Sequence, residues 1–141
     1  MHISRRFVLI VAVVAWASVW AQTVAPLPKT MNGRWTFLGK RTSSEVMSVV
    51  IDGDGAPGNV TGRLTLRANN CGALDEPFKG TWDGAELRFE ATLRSNVNTQ
   101  RSYMDCPADA TKFVLTRKPG QTGFEGEASA SSGTFQVTLA P

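Results

Sequence analysis

This chain contains a single histidine, His2. It lies in an N-terminal segment that we expect to be removed. Histidine is the commonest general base near neutral pH, a frequent metal ligand and the usual pH switch. Its absence from the remaining residues argues against hydrolases and metal centres that depend on imidazole. We therefore expect no enzyme activity, no metal site and no cofactor.

Cysteine is nearly as scarce, since only Cys71 and Cys106 occur. They do not form a Cys-x-x-Cys motif, so a redox-active or metal-binding pair is the less favoured interpretation. An even pair in an exported protein is typical of a structural disulfide. Closing a loop of about 36 residues between Cys71 and Cys106 would stabilise the fold by roughly 4 kcal/mol on the chain-entropy model.

Runs of basic residues are also missing, although the composition gives 15 Lys+Arg against 12 Asp+Glu. Arg5 and Arg6 belong to the N-terminal segment, which carries no acid. The remaining 13 basic and 12 acidic side chains leave a net charge near +1. So small an excess gives little long-range attraction for polyanions, and we expect no binding to nucleic acid.

One unbroken apolar run, residues 7–15, follows Arg5 and Arg6 and continues loosely to Ala21. This order is typical of a secretory signal peptide cleaved after Ala21. The run is shorter than the roughly 20 residues that a membrane-spanning helix needs. We therefore expect residues 1–21 to be a signal peptide. The product is then a periplasmic or secreted monomer without membrane attachment.

After the signal peptide, no window of a dozen residues shows the apolar repeat of a helix. Apolar and polar residues instead alternate in short segments, most clearly on both sides of the turn signal Asp83-Gly84. About eight such segments predict an all-β, antiparallel up-and-down meander, closed or nearly closed into a small barrel. A β-sandwich is the alternative. We expect residues 22–30 to be an extended linker and residues 31–141 to form a single β-barrel-like domain.

Glycine-punctuated strand motifs recur along the chain, among them Gly33-Arg34-Trp35, Val60-Thr61-Gly62 and Gly80-Thr81-Trp82, with Cys106-Pro107 in a later loop. Over residues 31–140 their order resembles small exported bacterial proteins of unassigned function, and this likeness implies the fold alone. Gly33-Arg34-Trp35 also resembles the opening of the calycin barrels, the lipocalins and avidins. In those families the tryptophan is mainly structural. The strands from Lys112 onward carry no tryptophan that would correspond to an avidin biotin site, so we infer no biotin binding.

Acidic residues give weak signals for chemistry. Asp52 and Asp54 alternate with glycines, but no bidentate acid follows before Glu76, so a turn is favoured over a calcium loop. Glu86 and Glu90 alternate with Arg88 along one predicted strand face, which is typical of a solvated surface.

Aromatic residues are the remaining candidates for binding. Trp35 and Trp82 lie on apolar strand faces, where they belong to the core or line a pocket at one barrel mouth. Tyr103 stands apart in a polar stretch, and exposed aromatic residues are common in interfaces.

Two hypotheses for function follow from these residues. The first is a non-catalytic exported protein that holds a small apolar molecule in the barrel, with Trp35 and Trp82 in its pocket. The alternative is an inhibitor or envelope interaction module that contacts a protein partner through loops 94–109 and 69–74, with Tyr103 as a contact.

Overall fold

The computed structural model describes residues 23–37, 43–68, 72–93, 109–131 and 133–141. These residues form eight β-strands, and none of them forms a helix that is long and apolar enough to cross a membrane. The strands are β1 (Thr30–Phe37), β2 (Ser43–Ile51), β3 (Gly58–Ala68), β4 (Gly72–Trp82), β5 (Glu86–Leu93), β6 (Asp109–Arg117), β7 (Phe124–Ala130) and β8 (Gly133–Ala140).

Each strand pairs antiparallel with its neighbours in sequence, and β1 also pairs with β8, so that the sheet is a closed barrel. This confirms the predicted up-and-down barrel and not the sandwich. Odd-numbered strands begin and even-numbered strands finish at one end, which we call the closed end. At the opposite end, which we call the loop end, odd-numbered strands finish and even-numbered strands begin.

Alternation of apolar and polar residues decides which face of each strand turns inward. In β5, Leu87, Phe89 and Leu93 are buried whereas Arg88 and Glu90 are exposed. A period of two places one set inside the barrel and the other in water. The outward position of Glu90 agrees with the predicted solvated face.

The hairpin between β4 and β5 turns where the sequence predicts it. The Asp83 carboxylate accepts hydrogen bonds from the backbone N–H groups of Ala85 (2.8 Å) and Glu86 (2.7 Å). Gly84 has a φ of 99°, a conformation that side chains disfavour and glycine adopts freely. The N–H groups of Glu86 and Ala85 also hold the pKa of Asp83 below its ordinary value, because they stabilise the ionised form.

The connection before this hairpin is shorter than predicted. The sequence places a loop over residues 67–77, and the candidate partner loop over residues 69–74, but β3 continues to Ala68 and β4 begins at Gly72. Leu74 extends the inward series of Phe78 and Trp82, and this pattern is hidden by Glu76, at the inward position between Leu74 and Phe78, and by the proline at position 77. Proline is tolerated there because pairing between β4 and β5 starts only at Phe78.

Large apolar side chains fill much of the barrel interior in one continuous cluster. Phe89 and Phe113 stack with their ring centroids 4.4 Å apart, and Phe78 packs on Phe89 at the same distance. An eight-stranded barrel has an interior just wide enough for side chains to fill. The largest fully buried members are Trp82, Phe113, Phe124, Phe135, Met31 and Met47.

Candidate functional site

The closed end of the barrel is covered by the segment before β1. Leu27 in this segment is 4% exposed, and its N–H donates to the Gly55 carbonyl at 2.9 Å. The carbonyl of Lys29 accepts a hydrogen bond of the same length from the N–H of Ile51. The segment predicted as an extended linker therefore packs against the barrel, and a ligand has no open path through this end.

Arg117 completes the closed end. It is the last residue of β6, and its guanidinium lies 4.8 Å from the ring centroid of Trp82. It donates a hydrogen bond to the Ala25 carbonyl at 2.6 Å and a longer one to the Gly84 carbonyl at 3.4 Å. Trp82 also packs edge-on against Phe124. This arrangement makes Trp82 part of the wall that closes the barrel.

Trp35 lies towards the other end, two positions before β1 finishes. It is 3% exposed and packs on Phe135 with the ring centroids 4.4 Å apart. The structure therefore places Trp35 and Trp82 near opposite ends instead of in one mouth. Strand order alone could have indicated this separation, because one tryptophan is near the end of an odd-numbered strand and the other ends an even-numbered strand.

Small side chains form a continuous interior band across β5, β6 and β7, towards the loop end. Ala91 pairs with Thr111, Ala128 lies opposite Phe113, and Ala130 is the last residue of β7. Ala91 and Ala128 are at most 1% exposed. We call Ala91, Thr111, Ala128 and Ala130 the small-residue band. Small side chains on one wall leave room beside them that the opposite wall must fill, or that a ligand can occupy.

Thr111 is the polar member of this band and is 1% exposed. Within the described ranges its Oγ1 atom has no hydrogen-bond partner, and the same holds for Nε1 of Trp35 and Nε1 of Trp82. Leaving a buried hydroxyl unpaired costs roughly 1–3 kcal/mol, so such a group in a native protein requires an explanation. Sequence reasoning missed Thr111, although it extends the inward series of Phe113 and Leu115 by one further step of two.

The wall beside the band lacks strand pairing over part of its length. Pairing between β4 and β5 runs from Trp82–Leu87 to Phe78–Ala91 and stops there, although β4 begins at Gly72 and β5 ends at Leu93. An outer groove of about 580 Å³ covers this separation and is lined by residues that include Glu76, Pro77 and Thr92. This separation adjoins Ala91, which pairs directly with Thr111. Ala91, Leu93 and Leu74 are all about 1% exposed, so the band is covered at this place, and a small molecule reaches it only when β4 and β5 move further apart.

Glu45 and Glu76 occupy inward-facing strand positions, opposite Trp35 and Leu64, and are partly buried, whereas several other acidic residues of the described ranges have structural roles or lie on the surface. Asp54 accepts a hydrogen bond from the N–H of Ala56, and Asp52 accepts one from the Thr61 hydroxyl at 2.9 Å. Both act as turn residues, as predicted. Glu86 forms an exposed ion pair with Arg88. Within the described ranges no three His, Cys, Asp or Glu side chains could hold a metal ion together.

Three of the predicted residues, Tyr103, Cys71 and Cys106, lie outside the described residues, as do residues 1–21, the predicted signal peptide. Most of the two candidate partner loops lies outside them too. The first residues of β4 and β6, Gly72 and Asp109, both belong to the loop end of the barrel. The disulfide between Cys71 and Cys106 remains a prediction of the sequence.

Comparison with known proteins gives no further assignment, because no family model, no curated protein and no solved structure matches this chain.

Proposed function

We propose that this chain is a non-catalytic, exported binding protein. Its ligand is a small, mainly apolar molecule with one hydrogen-bonding group, held in the barrel against the small-residue band. The observation that carries the proposal is the buried Oγ1 atom of Thr111, which lies among alanines and has no hydrogen-bond partner in the described part of the chain. A hydroxyl both donates and accepts hydrogen bonds, so it can pair with either kind of polar group on the ligand.

The surroundings of Thr111 support this ligand chemistry. Every other buried residue of the described core is hydrophobic. Binding sites for small molecules are typically apolar clefts with few polar groups that fix the orientation of the ligand. Nε1 of Trp35, in the same half of the barrel, is a second donor without a partner among the described residues. The ligand enters beside Ala91, because the closed end is covered by the segment around Leu27.

Thr111→Val tests the proposal, because valine keeps the shape of threonine and removes its hydroxyl. The free energy of unfolding of the ligand-free protein should rise by about 1 kcal/mol, since an unpaired buried polar group is lost. The probe is N-phenyl-1-naphthylamine, an apolar fluorophore with one N–H. Its dissociation constant should rise about five-fold, which corresponds to one lost hydrogen bond of about 1 kcal/mol.

Thr116→Val is the matched control, because Thr116 lies on the same strand with its side chain exposed. Thr116→Val should change neither the free energy of unfolding nor the dissociation constant of the probe. Ala91→Leu, which fills the band, should abolish probe binding. Native mass spectrometry of residues 22–141 purified from the native host identifies a retained ligand. Unchanged probe affinity in both Thr111→Val and Ala91→Leu contradicts the proposal, as does a protein that retains no mass and binds no probe.

A further inference from the structure

Charge is distributed unevenly over the outside of the barrel. On four adjacent strands, β8, β1, β2 and β3, the outward-facing charged residues are Arg34, Arg63 and Arg67, and no carboxylate faces outward there. The only acid on these strands, Glu45, pairs with buried Trp35 and so occupies an inward-facing position. We call the outer surface of these four strands the arginine face.

The opposite side of the barrel has a different composition. Strands β4 to β7 present mixed charges, and many of these are close to an opposite charge. Glu86 forms an ion pair with Arg88, and Lys79, Glu90 and Lys112 follow one another in a cross-strand row. Strand β7 adds the exposed Glu125 and Glu127 and no cation, so this side has no excess of positive charge. The uniform sign of the arginine face is therefore a property of one side and not of the whole surface.

Two arginines of the arginine face are available to a partner. Arg63 forms an ion pair with Asp75 at 3.0 Å, whereas no carboxylate of the described residues forms an ion pair with Arg34 or Arg67. Nε and Nη2 of Arg34 donate hydrogen bonds to the hydroxyl (2.9 Å) and the carbonyl (3.3 Å) of Ser44, which holds the guanidinium across the strands and leaves Nη1 and the second hydrogen of Nη2 for a partner. Both arginines are exposed.

Arg34 and Arg67 lie in one cross-strand row on the outside of the barrel. Each of them pairs directly with Val46 on the strand between them, so their Cα atoms are two strand spacings, about 10 Å, apart. Val46 is 51% exposed and Val50 is 37% exposed. The row thus combines two cations with aliphatic surface, and the remaining outward side chains of β1 and β2 are short and polar.

We propose that the arginine face docks on an anionic phospholipid bilayer. Arginine binds phosphate oxygens through two parallel N–H donors, and a basic residue near an anionic membrane contributes about 1 kcal/mol. Two arginines in one row reach a planar array of headgroups together, and Val46 lies between them at the same level. Nucleic acid fits less well, because strong binding typically uses about six or more phosphate contacts. This inference does not depend on the proposed ligand.

Vesicle sedimentation tests the proposal with the chain from residue 22. The protein should bind vesicles that contain phosphatidylglycerol and not vesicles of pure phosphatidylcholine, and added salt should release it. The double variant Arg34→Gln, Arg67→Gln should lose about 25-fold in partition, which is about five-fold for each arginine. Val46→Ser should weaken vesicle binding by itself, in a protein that keeps both arginines.

The matched control is Arg88→Gln with Lys112→Gln, which removes the same charge from the opposite side. It should change partition by less than about two-fold, because screened charges on the far side contribute little. An equal loss in both double variants contradicts a specific face and indicates attraction by net charge alone. Absence of binding to phosphatidylglycerol vesicles overturns the proposal. The proposal is also overturned when the protein binds soluble inositol hexakisphosphate through both arginines but does not bind vesicles.

Discussion

Asp83 shows how a single exposed side chain can make stability depend on pH. Its carboxylate accepts hydrogen bonds from two backbone N–H groups of the β4–β5 turn, and these lower its pKa in the folded protein. In the unfolded chain an aspartate titrates near its ordinary value of about 3.9. The ionised form therefore stabilises the fold above about pH 4, and this contribution is lost as the pH falls through the lowered pKa.

We expect Asp83→Asn to remove this pH-dependent contribution. At pH 7 the variant should unfold at a lower urea concentration than the wild type, and the difference should shrink as the pH falls below about 4. Urea unfolding followed by tryptophan fluorescence, at pH 7 and below about pH 4, measures this difference between variant and wild type. A difference that stays constant across this pH range would show that the hydrogen bonds do not distinguish the ionised from the neutral carboxyl.

Thr111 and the two tryptophans show what single residues conceal in a sequence. The inward face of Trp35 and Trp82 follows from local alternation, and the structure confirms their burial. Their separation depends on strand order, and whether Thr111 has a partner among the described residues depends on side chains of other strands. Contacts between distant parts of the chain decide both properties. The sequence pattern therefore predicts which face of a strand a residue lies on better than it predicts which residues contact it.

At the scale of elements, the segment before β1 behaves as part of the barrel. Arg117 holds it through hydrogen bonds to the carbonyls of Ala25 and Pro26, while its guanidinium lies over Trp82. A cation above an aromatic ring and charged donors on carbonyls reinforce each other where water is partly excluded. The segment should therefore detach when Arg117 is removed.

We expect Arg117→Ala to lower the free energy of unfolding by about 1.5–3 kcal/mol, the usual contribution of a hydrogen bond to a charged group. The amide of Leu27, which bonds to the Gly55 carbonyl, should exchange with solvent much faster while amides at the centre of β5 stay protected. Hydrogen exchange measured by NMR checks the amides of Leu27 and β5, and urea unfolding checks the free energy. Arg88→Ala, on the exposed face, is the control. Unchanged protection of Leu27 would show that its own packing holds the segment.

Strands were predictable where alternation is uninterrupted, as in residues 78–93. Residues 67–77 were not, because Pro77 and several polar residues hide the inward series that contains Leu74. A strand tolerates proline where its edge lacks a partner, and the sequence does not show which edge of β4 is open. The arginine face was hidden for a similar reason, because a net charge near +1 does not show how the charges divide between two sides.

For the whole molecule, closure depends on the pairing of β1 with β8. A Cβ atom at Gly33 would lie 1.8 Å from the backbone oxygen of Thr138, so only glycine fits this junction. We expect Gly33→Ala to cost about 3 kcal/mol, as an overpacked site that must shift backbone. Sedimentation velocity should show self-association of the variant, because an opened junction exposes two strand edges.

Gly53→Ala is the control for this prediction. Gly53, unlike Gly33, has a left-handed backbone with a φ of 74°, but a Cβ atom there would meet nothing within 4 Å. The control should lose only about 1 kcal/mol, the cost of a left-handed conformation, and stay monomeric. Equal losses in the two variants would mean that β1 and β8 can separate slightly without weakening the barrel.

The junction of β1 with β8 also sets the order of events during folding. The two strands stand at opposite ends of the domain sequence, so the last pairing waits until β8 has left the ribosome and, for an exported chain, the translocation channel. Contacts between such distant segments are typical of domains that fold in milliseconds to seconds. Throughout that interval β1 lacks its second partner. The chain therefore needs protection from its neighbours most in the moments just before its synthesis and export are complete.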